Sequence, residues 1–110
     1  LAVDFARRAG VVLLLKGART VVTDGARVFT NDTGNPGMAT GGCGDVLTGL
    51  IAALIGQHLD GFGAACLGAW VHGRAGDRAA GALSQVSLTA ADLLDYLPPV
   101  FLELEQASHS

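Results

Sequence analysis

Five consecutive aliphatic residues, Val11 to Leu15, stand between Gly10 and Lys16-Gly17. A continuous apolar run of strand length, bounded in this way, predicts a strand covered on both faces, as in a parallel sheet. Ala2, Phe5 and Ala6 ahead of it read as the end of a helix, so the chain opens helix to strand. Two short β-branched runs follow, Thr20 to Thr23 and Arg27 to Thr30. The Asp24-Gly25 dipeptide between them suits a two-residue hairpin turn with positive φ. From Asn31 the alternation gives way to turn formers, Asp32-Thr33-Gly34-Asn35-Pro36-Gly37, and then to Met38-Ala39-Thr40-Gly41-Gly42-Cys43-Gly44-Asp45.

Helical spacing takes over at Val46, Leu47, Leu50, Ile51, Leu54 and Ile55. A second helix is predicted from Asp60, a good N-cap residue, to about Ala80. Along it Ala64, Gly68, His72, Gly76 and Ala80 recur every four residues, a stripe of mostly small side chains that lets another backbone approach closely. Thr89 with Asp92 three residues on predicts the start of a third helix in a near capping box, and Pro98-Pro99 is expected to stop it. The acidic tail beyond Leu102 is expected to fray. Trp70 reads as core, and Asp77 as the ion-pair partner of Arg74 or Arg78 on its own helix.

Composition changes this picture in one respect. Glycine and alanine, 16 and 18 of the 110 residues, leave few large side chains to bury, although the mean hydropathy of +0.43 excludes a disordered chain. The sequence therefore reads as part of a larger core, in keeping with a first residue, Leu1, that is not methionine. A net charge of -3 with seven scattered basic residues offers no footprint for nucleic acid. The longest apolar stretch, Val46 to Ile55, is interrupted by Thr48 and Gly49 and falls short of the roughly 20 residues of a membrane span. Cys43 and Cys66 lack metal-type spacing and read as thiols of a cytoplasmic protein.

The chemistry concentrates at Gly41-Gly42-Cys43-Gly44-Asp45, directly before the first helix. Glycines let successive N–H groups turn inward around an anion, and the helix start adds unpaired donors and a positive dipole end. A phosphate suits that place. A carboxylate at Asp45 is stabilised by the same dipole and stays ionised, so it can accept the proton of a hydroxyl attacking a bound phosphorus. The spacing is neither that of a P-loop nor that of the dinucleotide fingerprint. Asp45 as a plain helix-start charge, with the glycines as a tight loop, is the competing reading, and spacing alone leaves the two level. Lys16-Gly17-Ala18-Arg19-Thr20 shifts the balance, because it stands at the carboxyl end of the predicted buried strand, where open α/β sheets bind ligands. A lysine there is, on its own, more often a solvated strand end. His72 reads as a packed or hydrogen-bonded helix histidine rather than a catalytic one. Met38 and Asn35 stand where a ligand would approach, although turn chemistry accounts for Asn35 and Pro36.

These segments, in this order, resemble the ribokinase-like superfamily and more narrowly the bacterial ADP-dependent NAD(P)H-hydrate dehydratase family. The resemblance runs from Val11 to Leu97 and is carried by KGART, the hairpin, TGNPGMATGGCGDVLTGLIAALI, HGRAGD and LTAADLLDYLP. It implies an α/β fold, a ribokinase-like three-layer αβα sandwich, with residues 1–110 as the C-terminal half of one domain. It also implies ADP-dependent dehydration of (6S)-NADHX and (6S)-NADPHX to NADH and NADPH, with ADP converted to AMP and phosphate. Carried over by residue, Lys16, Gly17, Ala18, Arg19 and Thr20 match the segment at the adenine nucleotide, and Gly41, Gly42, Cys43 and Gly44 the anion hole. Asp45 matches the residue at the hydrated nicotinamide and would be the base. The family usually carries Thr where Cys43 stands, so a backbone N–H is kept there and any hydroxyl contact to phosphate is lost. ADP as co-substrate and a magnesium ion bridging its phosphates are expected, although the sequence shows no dedicated metal-ligand cluster. A homo-oligomer is expected as well, a tetramer among its options. Two rivals share the loop chemistry: a small-molecule kinase of the hydroxyethylthiazole or hydroxymethylpyrimidine type, and a catalytically silent fragment that binds adenine nucleotide.

Overall fold

The computed structural model describes residues 6–8, 10–15, 20–35, 38, 42–57 and 59–108, apart from the side chains of Asp45 and Ser108. Three short strands, β1 (Leu13–Leu15), β2 (Val21–Thr23) and β3 (Val28–Thr30), form an antiparallel sheet in that order. Three helices follow: α1 (Cys43–Gly56), α2 (Gly61–Leu83) and α3 (Ala90–Ser108).

Register places Leu14, Val22 and Phe29 in one row across the sheet. Val22 is fully buried against Ala65 and Ala69 of α2, with Leu14, Phe29, Ile51 and Phe62 closing round them. A second cluster, Cys43, Val71, Ala75, Leu93 and Val100, joins the start of α1 to α2 and α3. Helix α2 thus touches every other layer, and its small-residue stripe makes that contact close. A Cβ at Gly68 would stand 2.7 Å from Ile51 Cγ1 of α1.

Both predicted caps are present. Asp60 takes the N-cap position of α2 and accepts from the Gly63 N–H at 2.6 Å. At the start of α3 the Asp92 carboxylate accepts from the Thr89 N–H and hydroxyl, both at 2.9 Å, while Thr89 Oγ1 accepts from the Asp92 N–H at 3.3 Å, a reciprocal pair.

Four expectations are corrected. Strand β1 is not covered on both faces: Leu13 and Leu14 are half-buried, but Val11, Val12 and Leu15 are exposed. Among the described residues β1 pairs only with β2, which makes it an edge strand, and of its apolar run Leu14 packs against the β2–α2 cluster. The hairpin closes one residue later than Asp24-Gly25. The Asp24 N–H donates to the Arg27 carbonyl at 3.3 Å, leaving Gly25 and Ala26 as the central pair, with positive φ confined to Gly25 at 95°. Pro98 and Pro99 lie inside α3 instead of ending it. Each removes an N–H from the ladder, but Leu93, Leu97, Val100 and Leu104 recur on one face against the core and hold the segment helical across the gap. Finally, the acidic tail stays helical to Ser108 because Glu103 accepts from both Arg74 and Arg78 of α2.

At the hairpin, Asp24 Oδ1 accepts from the N–H groups of Arg27 and Ala26 at 2.7 and 2.9 Å, and Oδ2 pairs with the Arg27 guanidinium. These bonds hold the Asp24 pKa down at about 2, against an ordinary 3.8. A carboxyl whose folded-state pKa is depressed contributes stability above its unfolded value and loses it as pH falls through the folded one. The wild-type melting temperature should therefore drop as pH is lowered from about 4 to about 2, and Asp24→Asn should drop less across that window. Parallel melting curves would show that the turn carboxylate contributes nothing.

Among the described residues no helix is long and apolar enough to cross a membrane.

Candidate functional site

The glycine-dense segment leads into α1 as its composition predicts. Gly42 is the N-cap, with φ 90° and ψ -16°, a left-handed conformation that costs glycine little. A side chain there would also meet the Ala90 methyl at 3.0 Å, so α3 closes one side of the turn. The first helical bond runs from the Val46 N–H to the Gly42 carbonyl at 3.1 Å. Helix geometry therefore sets the N–H groups of residues 43–45 ahead of the i→i−4 ladder, at the end where an anion is favoured. Gly44 is exposed on the second helical residue, and Asp45 is the third. Cys43 turns inward: its side chain is 2% exposed within the core cluster, so only its backbone faces the loop.

The structure thus brings Gly42, Cys43, Gly44 and the Asp45 backbone together at one helix start. Lys16, Gly17, Ala18, Arg19 and Gly41 lie outside the described residues. Thr20 is half-buried, and its carbonyl accepts from the Asn31 N–H at 2.8 Å. That bond ties the end of the predicted nucleotide segment to the start of the glycine-dense loop.

Helix α2 fastens the loop. Asn31 is 3% exposed, and its amide donates to the Ala69 carbonyl at 3.0 Å. Thr33 Oγ1 lies 3.0 Å from Asn31 Oδ1 and 3.1 Å from the Trp70 carbonyl, two acceptors that share its one proton. Asp77 does not pair with Arg74 or Arg78, as its spacing had predicted. Both arginines are drawn across to Glu103, and Asp77 accepts instead from the Gly34 N–H at 3.0 Å and from the Asn35 amide at 2.9 Å. Met38 packs against the core cluster and over Gly76. Asn35 and Met38, expected beside a ligand, are therefore both engaged with α2. Trp70 is half-buried against the same cluster. His72 is buried, 6% exposed, and meets the Cys43 carbonyl at 2.8 Å, the hydrogen-bonded helix histidine of the sequence reading.

Asn31, Thr33 and Asp77 are site-building residues that the sequence reading missed. The HGRAGD segment held the signal, since its histidine, two glycines and aspartate all reach the loop or its exit. Among the described residues no group of three His, Cys, Asp or Glu could hold a metal ion.

Comparison with known proteins adds a second line of evidence. A sequence profile described as NAD(P)H-hydrate dehydratase matches residues 1–99. The bifunctional NAD(P)H-hydrate repair enzyme of Moorella thermoacetica is 56% identical over 108 residues, 96% of this chain and 20% of that protein. The ADP-dependent (S)-NAD(P)H-hydrate dehydratase of Cenarchaeum symbiosum is 39% identical over 95 residues, 86% of this chain and 33% of that protein. Among solved structures, the ADP/ATP-dependent NAD(P)H-hydrate dehydratase from Bacillus subtilis co-crystallized with ATP/Mg2+ superposes with a TM-score of 0.86 at 33% identity, over 93% of this chain and 37% of that one. The chain spans about a fifth of the bifunctional relative and about a third of the dehydratase.

Proposed function

Because this chain belongs to the NAD(P)H-hydrate dehydratase family and carries part of its ribokinase-like fold, we propose that it supplies the nucleotide and base portion of an ADP-dependent NAD(P)H-hydrate dehydratase site. The observation that carries this reading is the left-handed Gly42 turn, which opens α1 with Gly44 exposed and Asp45 on its first turn.

In this reading the β-phosphate of ADP lies against the N–H groups at the start of α1, with Lys16 to Thr20 at the rest of the nucleotide. The Asp45 carboxylate takes the proton of the hydrate's hydroxyl as that oxygen attacks the β-phosphorus and AMP leaves. Elimination of phosphate then restores the ring double bond, so one hydrate and one ADP give one NAD(P)H, one AMP and one phosphate. The helix dipole and loop amides offset charge gathering on the transferred group. Bound magnesium would neutralise phosphate charge, and the protein's own part is to hold the phosphates and remove the proton.

Residues 1–110 are part of one larger domain in this reading. Support comes from the 37% coverage of the Bacillus subtilis chain and from the 42% exposure of Val11, just ahead of β1, and the 47% exposure of Leu15 within it, apolar surface that a further layer of the fold would cover.

The test is substrate dependence. In the complete protein, conversion of ADP to AMP and phosphate should require (6S)-NADHX or (6S)-NADPHX and should proceed one for one with recovery of the reduced-nicotinamide absorbance. Transfer of phosphate to an alcohol without any hydrate would identify a kinase of the same superfamily instead. Binding of ADP without turnover under either condition would identify a nucleotide-binding module.

A further inference from the structure

His72 stands outside the family-matched site residues, yet its side chain hydrogen-bonds the exit of the loop. A carbonyl oxygen only accepts, so the 2.8 Å contact with Cys43 requires the proton on His72 Nε2. Helix geometry directs the Cys43 carbonyl along α1, towards the N–H of residue 47, and a second lone pair remains for the imidazole. The bond is buried and lies one residue before Gly44 and two before Asp45.

We propose that His72 is a positioning residue for the anion loop, holding the Cys43 carbonyl so that the first turn of α1 presents its amides and Asp45 to the nucleotide at a fixed place on α2. The inference rests on the functional reading above. The same helix grips the entry of the loop through Asp77, which bonds the Gly34 N–H and the Asn35 amide. Helix α2 is itself seated on the sheet by Ala65 and Ala69, and tied to α3 through Arg74, Arg78 and Glu103. His72 therefore connects a rigid body to the part of the loop that must be placed most closely. Sub-ångström errors in such placement are costly to binding and to proton transfer.

The experiment compares His72→Gln with His72→Met in the complete protein. Glutamine keeps an N–H donor of similar reach, while methionine keeps the length without the donor. The methionine variant should raise the Kd for ADP about tenfold and lower kcat comparably, with the glutamine variant within about threefold of wild type. Amide hydrogen exchange over residues 43–47 of the ligand-free protein should quicken in the methionine variant and not in the glutamine variant. Wild-type Kd and kcat in both folded variants, with only a lower melting temperature for methionine, would overturn the proposal in favour of a purely structural histidine. Equal losses in both variants would overturn it too, since the donor would then not be what matters. If His72→Met does not fold, His72→Asn, whose amide falls a methylene short of the carbonyl, takes its place. A wild-type protein that binds no ADP would refute the functional reading, and the exchange comparison would then decide the His72 bond by itself.

Discussion

Asp45→Asn in the complete protein should lower hydrate-dependent turnover by about 10³-fold while leaving ADP affinity equal or slightly tighter, the loss being that of a general base held in place. Asparagine matches the shape of the carboxylate and still accepts hydrogen bonds, so the start of α1 should keep its form. It cannot take up a proton from the hydrate's hydroxyl. It also removes a negative charge beside the phosphates, which is why binding should not weaken. Paired measurements of turnover and of ADP binding by calorimetry separate the outcomes. Near-wild-type turnover would remove Asp45 from the chemistry, and loss of turnover together with binding would make it a structural residue of the helix start.

The second large effect concerns glycines on one helix. A Cβ at Gly73 would overlap Thr33 Oγ1 and stand 2.7 Å from the Thr33 carbonyl carbon, a main-chain atom that cannot swing aside. Thr33 is further held by Asn31 and by the Trp70 carbonyl. Gly73→Ala should therefore destabilise the protein by about 2–3 kcal/mol through overpacking. Gly81, in the same helix, has open space where its Cβ would stand. Gly81→Ala should stabilise by about 0.5–1 kcal/mol, because alanine is the better helix former. Gly76 falls between the two, since the atoms its Cβ would meet are those of the flexible Met38 side chain. Denaturant unfolding of the variants checks the order. A neutral Gly73→Ala would mean that the loop does not sit on α2 as described.

Local chemistry was readable wherever a few neighbouring residues decide the outcome. Asp60 and the Thr89–Asp92 pair show their helix starts because a cap is built from residues three apart. The turn that the glycines make before α1 could be read for the same reason. What was not readable needed knowledge of which surfaces meet. Pro98-Pro99 is a stop signal in isolation, and it is overridden by Leu93 and Val100, buried on either side of it. Asp77 has arginines within one turn in sequence, but Glu103, 25 and 29 residues away, claims them. The apolar run from Val11 to Leu15 signals a strand, but a run of that kind does not say what packs on it, and Val11, Val12 and Leu15 stay exposed among the described residues.

The attachment of one loop to one helix has a thermodynamic consequence. Residues 31–35 and residue 43 are all bonded to α2, so both ends of the stretch between them are fixed to one helix. The entropy of bringing its ends together is lost when the protein folds, not when a ligand arrives. Under the proposed function, affinity at the start of α1 is therefore linked to how firmly α2 sits on the sheet. If the proposed function holds, loosening the contact of Val22 with Ala65 and Ala69 should be felt as weaker ADP binding, although those side chains belong to a different cluster from Cys43.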